Sequence, residues 1–583
     1  MNLRLIIFIT AIITCNSFIQ AQVPTCFDIK NVQRELYMKP SNFQKHFKSN
    51  NVLNNTDSLS WMKIYHSECD CPAAHIENAY DGGILLMGWF EANYPKNCWL
   101  IKTDVNGDIL WERVISGGDY VTSVNRLVES ADGSIYIFGS TLLLDNYDDP
   151  YLTKLNPCGE KEWCKIFHTP EHMDGVMSLS LAQDGGVAII LGNSWGPNFA
   201  DTNRICLTRL DQNGNELWRN YYSTLDPNMH NEQDWSLLST PDNGFLITAS
   251  CSYEDSLNNN IWMAKCYYIK SNNIGARQWE TIAEKNYNPN YPGGIAFSSV
   301  LNQRKDYYYS SISRYMGAST ISPAILKMST SGQVVSINEI VSGNATGMLC
   351  SSTFVDPQTM VGSACWFNDT SSIHASKAIK FDTLGTLISE KTLLNSDYLS
   401  FIKRTRDNKY LFYTMRDDSP DPNFPHLNAY LFKFDKNLNS DSLYSIPLTY
   451  DSLCPQISPY DTVFILNCGI ILNINEPQIV NSASEMIVSP NPATNLVHIT
   501  FPNYIISTTV GSSFTSTHMD FQYLGNAILE IYDLNGKQIF EKALSQNDHE
   551  LNIDVNTWTR GMYFIKLLEK SNTVKTAKLI INR

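Results

Sequence analysis

Six short segments hold residue types that could do chemistry. Gly192-Asn193-Ser194-Trp195-Gly196 has the Gly-x-Ser-x-Gly spacing of a nucleophile elbow and follows an apolar run. Such an elbow needs a helix directly after the serine, to aim the hydroxyl and supply oxyanion donors. Pro197-Asn198-Phe199-Ala200 follows instead, so a loop is expected. Gly362-Ser363-Ala364-Cys365-Trp366, with His374 and His426 downstream, offers a thiol and two bases. It falls in a strand-like run with no helix N-terminus to lower the thiol pKa, and a buried structural cysteine is expected. In His168-Thr169-Pro170-Glu171-His172 the proline breaks the helix that would put both imidazoles on one face. Asp104-Val105-Asn106-Gly107-Asp108 and Asp211-Gln212-Asn213-Gly214-Asn215 place glycine fourth, where a calcium EF-hand loop needs it sixth, and read as tight turns. Cys69-Asp70-Cys71 has one intervening residue rather than two, with no second pair at zinc spacing. No catalytic, cofactor-binding or metal residue is therefore assigned, and no cofactor is expected.

The elements that must carry these segments are bounded first by size and charge. A chain of 583 residues exceeds the length over which one core keeps growing, so at least two folding units are expected. A formal net charge of -15, with no run of Lys and Arg, excludes a nucleic-acid-binding surface. Arg4, the apolar stretch Leu5 to Thr14 and the small-residue site Ile19-Gln20-Ala21 read as a signal peptide over residues 1–21. A lipoprotein site at Cys15 would need a small residue just before it, and Ile-Ile-Thr stands there. No later stretch reaches the ~18 apolar residues that cross a bilayer, so no transmembrane helix is expected in the mature chain. Secretion permits disulfides, and an odd number of cysteines remains once Cys15 leaves with the signal, so at least one thiol stays unpaired. The local candidates for pairing are Cys158 with Cys164 and Cys454 with Cys468.

A repeat dominates the middle of the chain. Segments such as WLIKTDVNGDILW, YLTKLNPCGEKEW and CLTRLDQNGNELW recur seven times, with basic residues at Lys102, Lys154, Arg209, Lys265, Lys327, Lys380 and Lys433. Upstream of the early ones lie Asp81-Gly82-Gly83, Asp132-Gly133, Asp184-Gly185-Gly186 and Asp242-Asn243-Gly244, each before a short apolar run. Asp-Gly and Asn-Gly reverse a chain tightly because Gly, and more tolerably Asn, adopts positive φ. Trp111, Trp163 and Trp218 then mark the start of a fourth strand. Each unit reads as four strands, too small to bury its faces alone, and stacking into a ring solves that. The fold class expected is all-β: a seven-bladed β-propeller, with six or eight blades also compatible, followed by a small antiparallel β-sandwich. A solenoid is the structural rival, but it has shorter and steadier units. Trp61 to Tyr65 reads as a fourth strand without its three predecessors and is expected to complete the last blade, with Leu443 to Leu448 competing for that place.

The domain boundaries expected are a signal peptide at 1–21, an N-terminal segment at 22–58, the propeller at 59–450, a linker at 451–484 bracketed by cysteines, and a C-terminal domain at 485–583. The repeats resemble the Asp-Gly-Gly-type propeller repeats of secreted Bacteroidetes proteins, which share no single activity. In the last hundred residues, Pro490-Asn491-Pro492-Ala493-Thr494, the turn Asp533 to Gly536-Lys537, and Gly561-Met562-Tyr563-Phe564 occur in order. This segment resembles the type A sorting domain of the type IX secretion system. The resemblance implies export across both membranes, with the secretion machinery as a partner and the outer surface or medium as the destination.

Two functions follow as expectations. One is non-catalytic binding or adhesion to an extracellular glycan or protein ligand. The alternative is a glycan-processing hydrolase or lyase with its site at the propeller axis, where loops of every blade meet. No pair of carboxylates can be matched from sequence, and the reading favours binding.

Overall fold

The structure is a computed structural model that describes residues 48–51, 61–66, most of 72–472 and, towards the C-terminus, 487–489, 493–500 and most of 527–582. Residues 1–21, Cys69, Cys71, Ser194, His172, His426, Pro490, Asn491, Pro492 and Gly536 lie outside the described residues. The chain divides into two compact units, Met1–Leu472 and Asn473–Arg583. Described residues form strands and turns, with no helix among them, as the short apolar runs bounded by Gly, Asn and Asp predict.

The first unit holds seven antiparallel sheets arranged one after another along the chain, a propeller-like plan. Sheet 1 runs Ala73–Asn78, Ile84–Trp89, Cys98–Thr103 and Ile109–Ser116. Sheets 2 to 6 repeat this order and begin at Arg126, Asp174, Met229, Gly294 and Thr346. Sheet 7 has Phe401–Arg404, Tyr410–Asp417 and Leu427–Phe434, and its fourth place is filled by Met62–His66, antiparallel with Ile64 opposite Tyr430. The N-terminal strand thus takes the place predicted for it, and the competing segment, Leu443 to Leu448, lies partly outside the described residues. Buried residues of neighbouring sheets share cores; one core joins Trp61 and Tyr65 to Ile76, Leu86 and Trp99 of sheet 1 and to Leu411 and Leu431 of sheet 7.

The repeat landmarks brace the sheets. At the turn between the first two strands of sheet 1, Gly82 has φ +92°, and Asp81 accepts the Gly83 N–H at 3.1 Å and Lys102 Nζ at 2.6 Å. Asp184 with Arg209, and Asp242 with Lys270 at 2.8 Å, repeat this pairing in sheets 3 and 4. Asp132, before Gly133, instead caps Ser134 N–H at 3.0 Å. In the fourth unit the landmark is therefore Lys270 and not Lys265, which bonds the Glu284 carbonyl. Two of the landmark tryptophans join their sheet to the next, Trp163 Nε1 donating to Gln212 O at 3.0 Å and Trp218 Nε1 to Asn273 O at 3.1 Å, whereas Trp111 Nε1 donates to Asp451 at 3.3 Å. Gly275, at φ +78°, lies under the Trp218 ring, where a Cβ would come within 2.6 Å of it. Only glycine satisfies both the turn and the approach.

The segment after sheet 7 corrects the expected linker. Residues 444–472 run back across sheets 1 and 2 as a strap. Asp451 takes Lys102 Nζ at 2.7 Å, and Tyr460–Phe464 and Gly469–Leu472 add parallel strands to the outer edges of sheets 1 and 2. The disulfides are Cys158–Cys454 and Cys164–Cys468, with Cα separations of 5.3 and 4.8 Å. The four expected cysteines pair, but with the opposite connectivity, because the strap brings 454 and 468 against the third and fourth strands of sheet 2. Cys206, Cys266 and Cys350 carry free thiols, and Cys365 is buried within its strand.

The second unit contains the sheets Ile487–Ser489, Leu496–Thr500, Glu550–Asp554 and Gln538–Leu544, Ala527–Asp533, Gly561–Glu569, Asn572–Ile581 around one apolar core. Asp533 accepts the Lys537 N–H at 2.9 Å and closes the turn of its motif. Tyr563 is buried, and its hydroxyl donates to Thr559 O at 2.8 Å, which anchors the corner before its strand.

Candidate functional site

First strands, or the residues just before them, bond to those of a neighbouring sheet at several places. Asn78 Nδ2 donates to Arg404 O at 2.8 Å, Asn125 Nδ2 to Val176 O at 2.9 Å, and Ser298 Oγ to Cys350 O at 3.2 Å. In each sheet the turn opens on one residue: Ala79, Ser130, Ala182, Thr240, Asn302, Val355 and Thr405. Four residues upstream of each lies one level of the first strand. In sheets 7, 1 and 2 that level holds Phe401, His75 and Arg126; in sheets 3 to 6 it holds a serine, Ser178, Ser236, Ser298 and Ser351. In sheets 1 and 3 to 6 the ladder to the second strand slips there, at pairs such as Ala73/His75 and Val176/Ser178. A bulge re-aims side chains and interrupts pairing, as sites on sheets commonly require.

The level is chemically lopsided. On the charged arc, Lys403 Nζ pairs with Glu77 at 2.6 Å. Arg126 donates to Asn125 O at 3.0 Å and Asn125 Oδ1 at 2.8 Å, and its guanidinium lies 5.9 Å from the Phe401 ring centre. Among the described residues no carboxylate pairs with it. The His75 ring meets Phe401 edge to face at 5.7 Å. Burial, then the charges of Arg126 and Lys403, hold the His75 pKa well below its ordinary value, so the ring is neutral. Burial brings Arg126 down to about 10. His75 Nδ1, Ser236 Oγ and Ser351 Oγ are buried without a hydrogen-bond partner. Buried polar atoms are rarely left so, and a water or ligand group commonly completes them.

Towards the turn of the same arc, Glu129 accepts the Tyr80 N–H. Burial raises its pKa to about 8, against the lowering effect of Lys102 and that N–H, while Asp81 and Glu77 raise it further. Glu129 thus carries a proton at neutral pH, and Glu77, on the adjacent first strand, is held by Lys403.

The segments singled out from the sequence do not join this arc. Asp104 Oδ1 accepts the N–H groups of Asn106 and Asp108, both at 2.8 Å, and Asp211 Oδ1 those of Asn213 and Asn215 at 2.9 and 2.8 Å, so both carboxylates close turns. His168 Nδ1 lies 2.9 Å from Asp149. Among the described residues no three His, Cys, Asp or Glu side chains gather as metal ligands would. His75, Arg126, Phe401 and Lys403 escape a motif search because their types differ from sheet to sheet. Their common signal is position, four residues before a turn or two residues after that level.

Residues 488–582 match the family model of the secretion system C-terminal sorting domain. The chain therefore carries a type IX secretion sorting domain, which makes it a secreted or surface-attached protein with that machinery as its export partner. No curated protein matches the chain. Among solved structures it is similar to an ulvan lyase described as a new family of polysaccharide lyase, at 10% identity over 62% of this chain and 94% of that one, with a TM-score of 0.39. A Hadza microbial sialidase is similar at 12% identity over 61% and 74% of the two chains, with a TM-score of 0.36. The periplasmic gluconolactonase of Pseudomonas aeruginosa is similar at 10% identity over 62% and 99%, with a TM-score of 0.33. At this level of likeness no activity is carried over.

Proposed function

We propose that the seven sheets are the blades of a ring closed by the N-terminal strand, and that the exported protein binds an extracellular glycan or protein ligand without transforming it. The observation that carries this reading is the level of Phe401, His75, Arg126 and four serines, an arc of donors and orphaned polar atoms on facing first strands. Such an arc orients a ligand, and among the described residues none of its four serines is bonded to a base that would activate it. Closure is supported by the Met62–His66 ladder on sheet 7 and by the core that sheets 7 and 1 share. Residues 1–21 as a cleaved signal peptide, and a Bacteroidetes source, fit the sorting domain. The test is a glycan and peptide array probed with the mature full-length chain, run beside a turnover assay on every ligand retained. Retention without product supports the reading, and product release from any of them ends it.

The second reading, a glycan-processing hydrolase or lyase, has one observation in its favour: protonated Glu129 on the strand next to Glu77, which pairs with Lys403. A general acid and an ionised partner are what glycoside cleavage uses. That reading requires Glu129→Gln to abolish any turnover found.

A further inference from the structure

Of the polar groups on the first strands, Arg126 stands apart. A guanidinium has five N–H donors and stays charged, and even half-buried, as Arg126 is, it is costly without a counter-charge. Of its charged neighbours, Lys403 holds Glu77, Glu129 keeps its proton and caps Tyr80, and Arg404, at the alternate position of its strand, donates to Phe354 O and Asn408 Oδ1. Arg126 has only the neutral oxygens of Asn125 and the face of Phe401. Beside it His75 leaves Nδ1 without a partner, and Lys403 adds a second positive charge close enough to depress that histidine. The arc therefore has an excess of positive charge and a spare ring nitrogen in a chain whose formal net charge is -15.

We propose that Arg126, with His75 and Lys403 beside it, is the subsite for an oxyanion of the ligand, a carboxylate or a sulfate carried on a sugar. The planar fork of the guanidinium matches two oxygens of either group, and neutral His75 donates to a third position without adding repulsion. The Phe401 ring, already against both His75 and Arg126, fixes the guanidinium plane. This inference rests on the binding reading and narrows its ligand to acidic sugars.

The experiment is calorimetric titration of the mature full-length chain with sodium glucuronate, sodium sulfate and glucose, repeated for Arg126→Met and Arg126→Lys. Saturable binding of glucuronate or sulfate but not glucose, weakened at least tenfold in Arg126→Met and less in Arg126→Lys, is the expected result; which anion binds identifies the group. If Arg126→Met does not fold, phenylglyoxal modification of the unaltered protein is read by peptide mass, and glucuronate or sulfate must shield residue 126. Absence of anion binding, equal affinity in Arg126→Met, or no shielding overturns the subsite. Retention of a neutral glycan unaffected by Arg126→Met also overturns it and leaves the binding reading standing. Turnover of an acidic glycan with KM raised by Arg126→Met keeps the subsite and removes the non-catalytic reading.

Discussion

Removing the two disulfides that hold the strap should reveal their connectivity through non-additive stability losses. Each bridge closes a loop of about 300 residues, 296 for Cys158–Cys454 and 304 for Cys164–Cys468. In the chain-entropy account the first such bridge stabilises by about 6 kcal/mol. The second does not repeat that effect. With either bridge in place, the other closes only a ring through 158–164 and 454–468, about 20 residues, and contributes about 3 kcal/mol. Replacing Cys158 and Cys454 by Ala should therefore cost about 3 kcal/mol, replacing Cys164 and Cys468 the same, and replacing all four about 9 kcal/mol. The fourfold variant loses more than the sum of the two pairs. Guanidinium unfolding followed at the body's tryptophans measures the three losses, and non-reducing peptide mapping reads the bridges themselves. Pairing 158 with 164 and 454 with 468 would close two independent small loops, and the losses would simply add. Additive losses, or a peptide joining 158 to 164, refute the strap.

Three further outcomes are expected. Stability should fall as pH rises from about 4.5 to about 8, because folded Glu129 keeps its proton to about 8 while the unfolded chain releases it near 4.5, so the folded state binds more protons across that window. Glu112, raised to about 7 by burial, acts in the same direction, and Glu129→Gln should flatten the pH dependence of the unfolding midpoint. Trp218→Phe should cost about 1 kcal/mol through the lost bond to Asn273 O, and Trp218→Ala about 3 kcal/mol through the lost cover of Gly275, both read by denaturant unfolding. Deleting the sorting domain from residue 488 should leave the chain in the periplasm, as cell fractionation would show.

What the sequence displays is what depends on near neighbours. The Asp-Gly turns are visible because positive φ at Gly82, Gly133 and Gly185 demands glycine or asparagine locally, and the apolar run after each is continuous within a single buried strand. The N-terminal strand was legible for a related reason: Trp61 to Tyr65 lacks the three strands that every similar segment has before it. The fourth landmark slipped to Lys265 because two lysines lie in that unit; counting five residues back from the turn glycine gives Lys270, as it gives Lys102 from Gly107. The strap was read as a linker because its pairing partners lie some 300 residues upstream, and parallel strand addition at a sheet edge leaves no periodic trace in a four-residue strand such as Gly469–Leu472. The Arg126 level was hidden because no residue type repeats on its charged arc; only the common offset from the turns, which the sequence does print, would have assembled it.

The claim on which the rest depends is that the sheets close into a ring through the pairing of Met62–His66 with Leu427–Phe434. Hydrogen exchange of the mature full-length chain, read on peptides covering 61–66 and 427–434, tests it directly. Closure predicts that both peptides are protected to the same degree and lose protection together as denaturant is added. Exchange of 61–66 at the rate of an unstructured peptide, with 427–434 still protected, would contradict it.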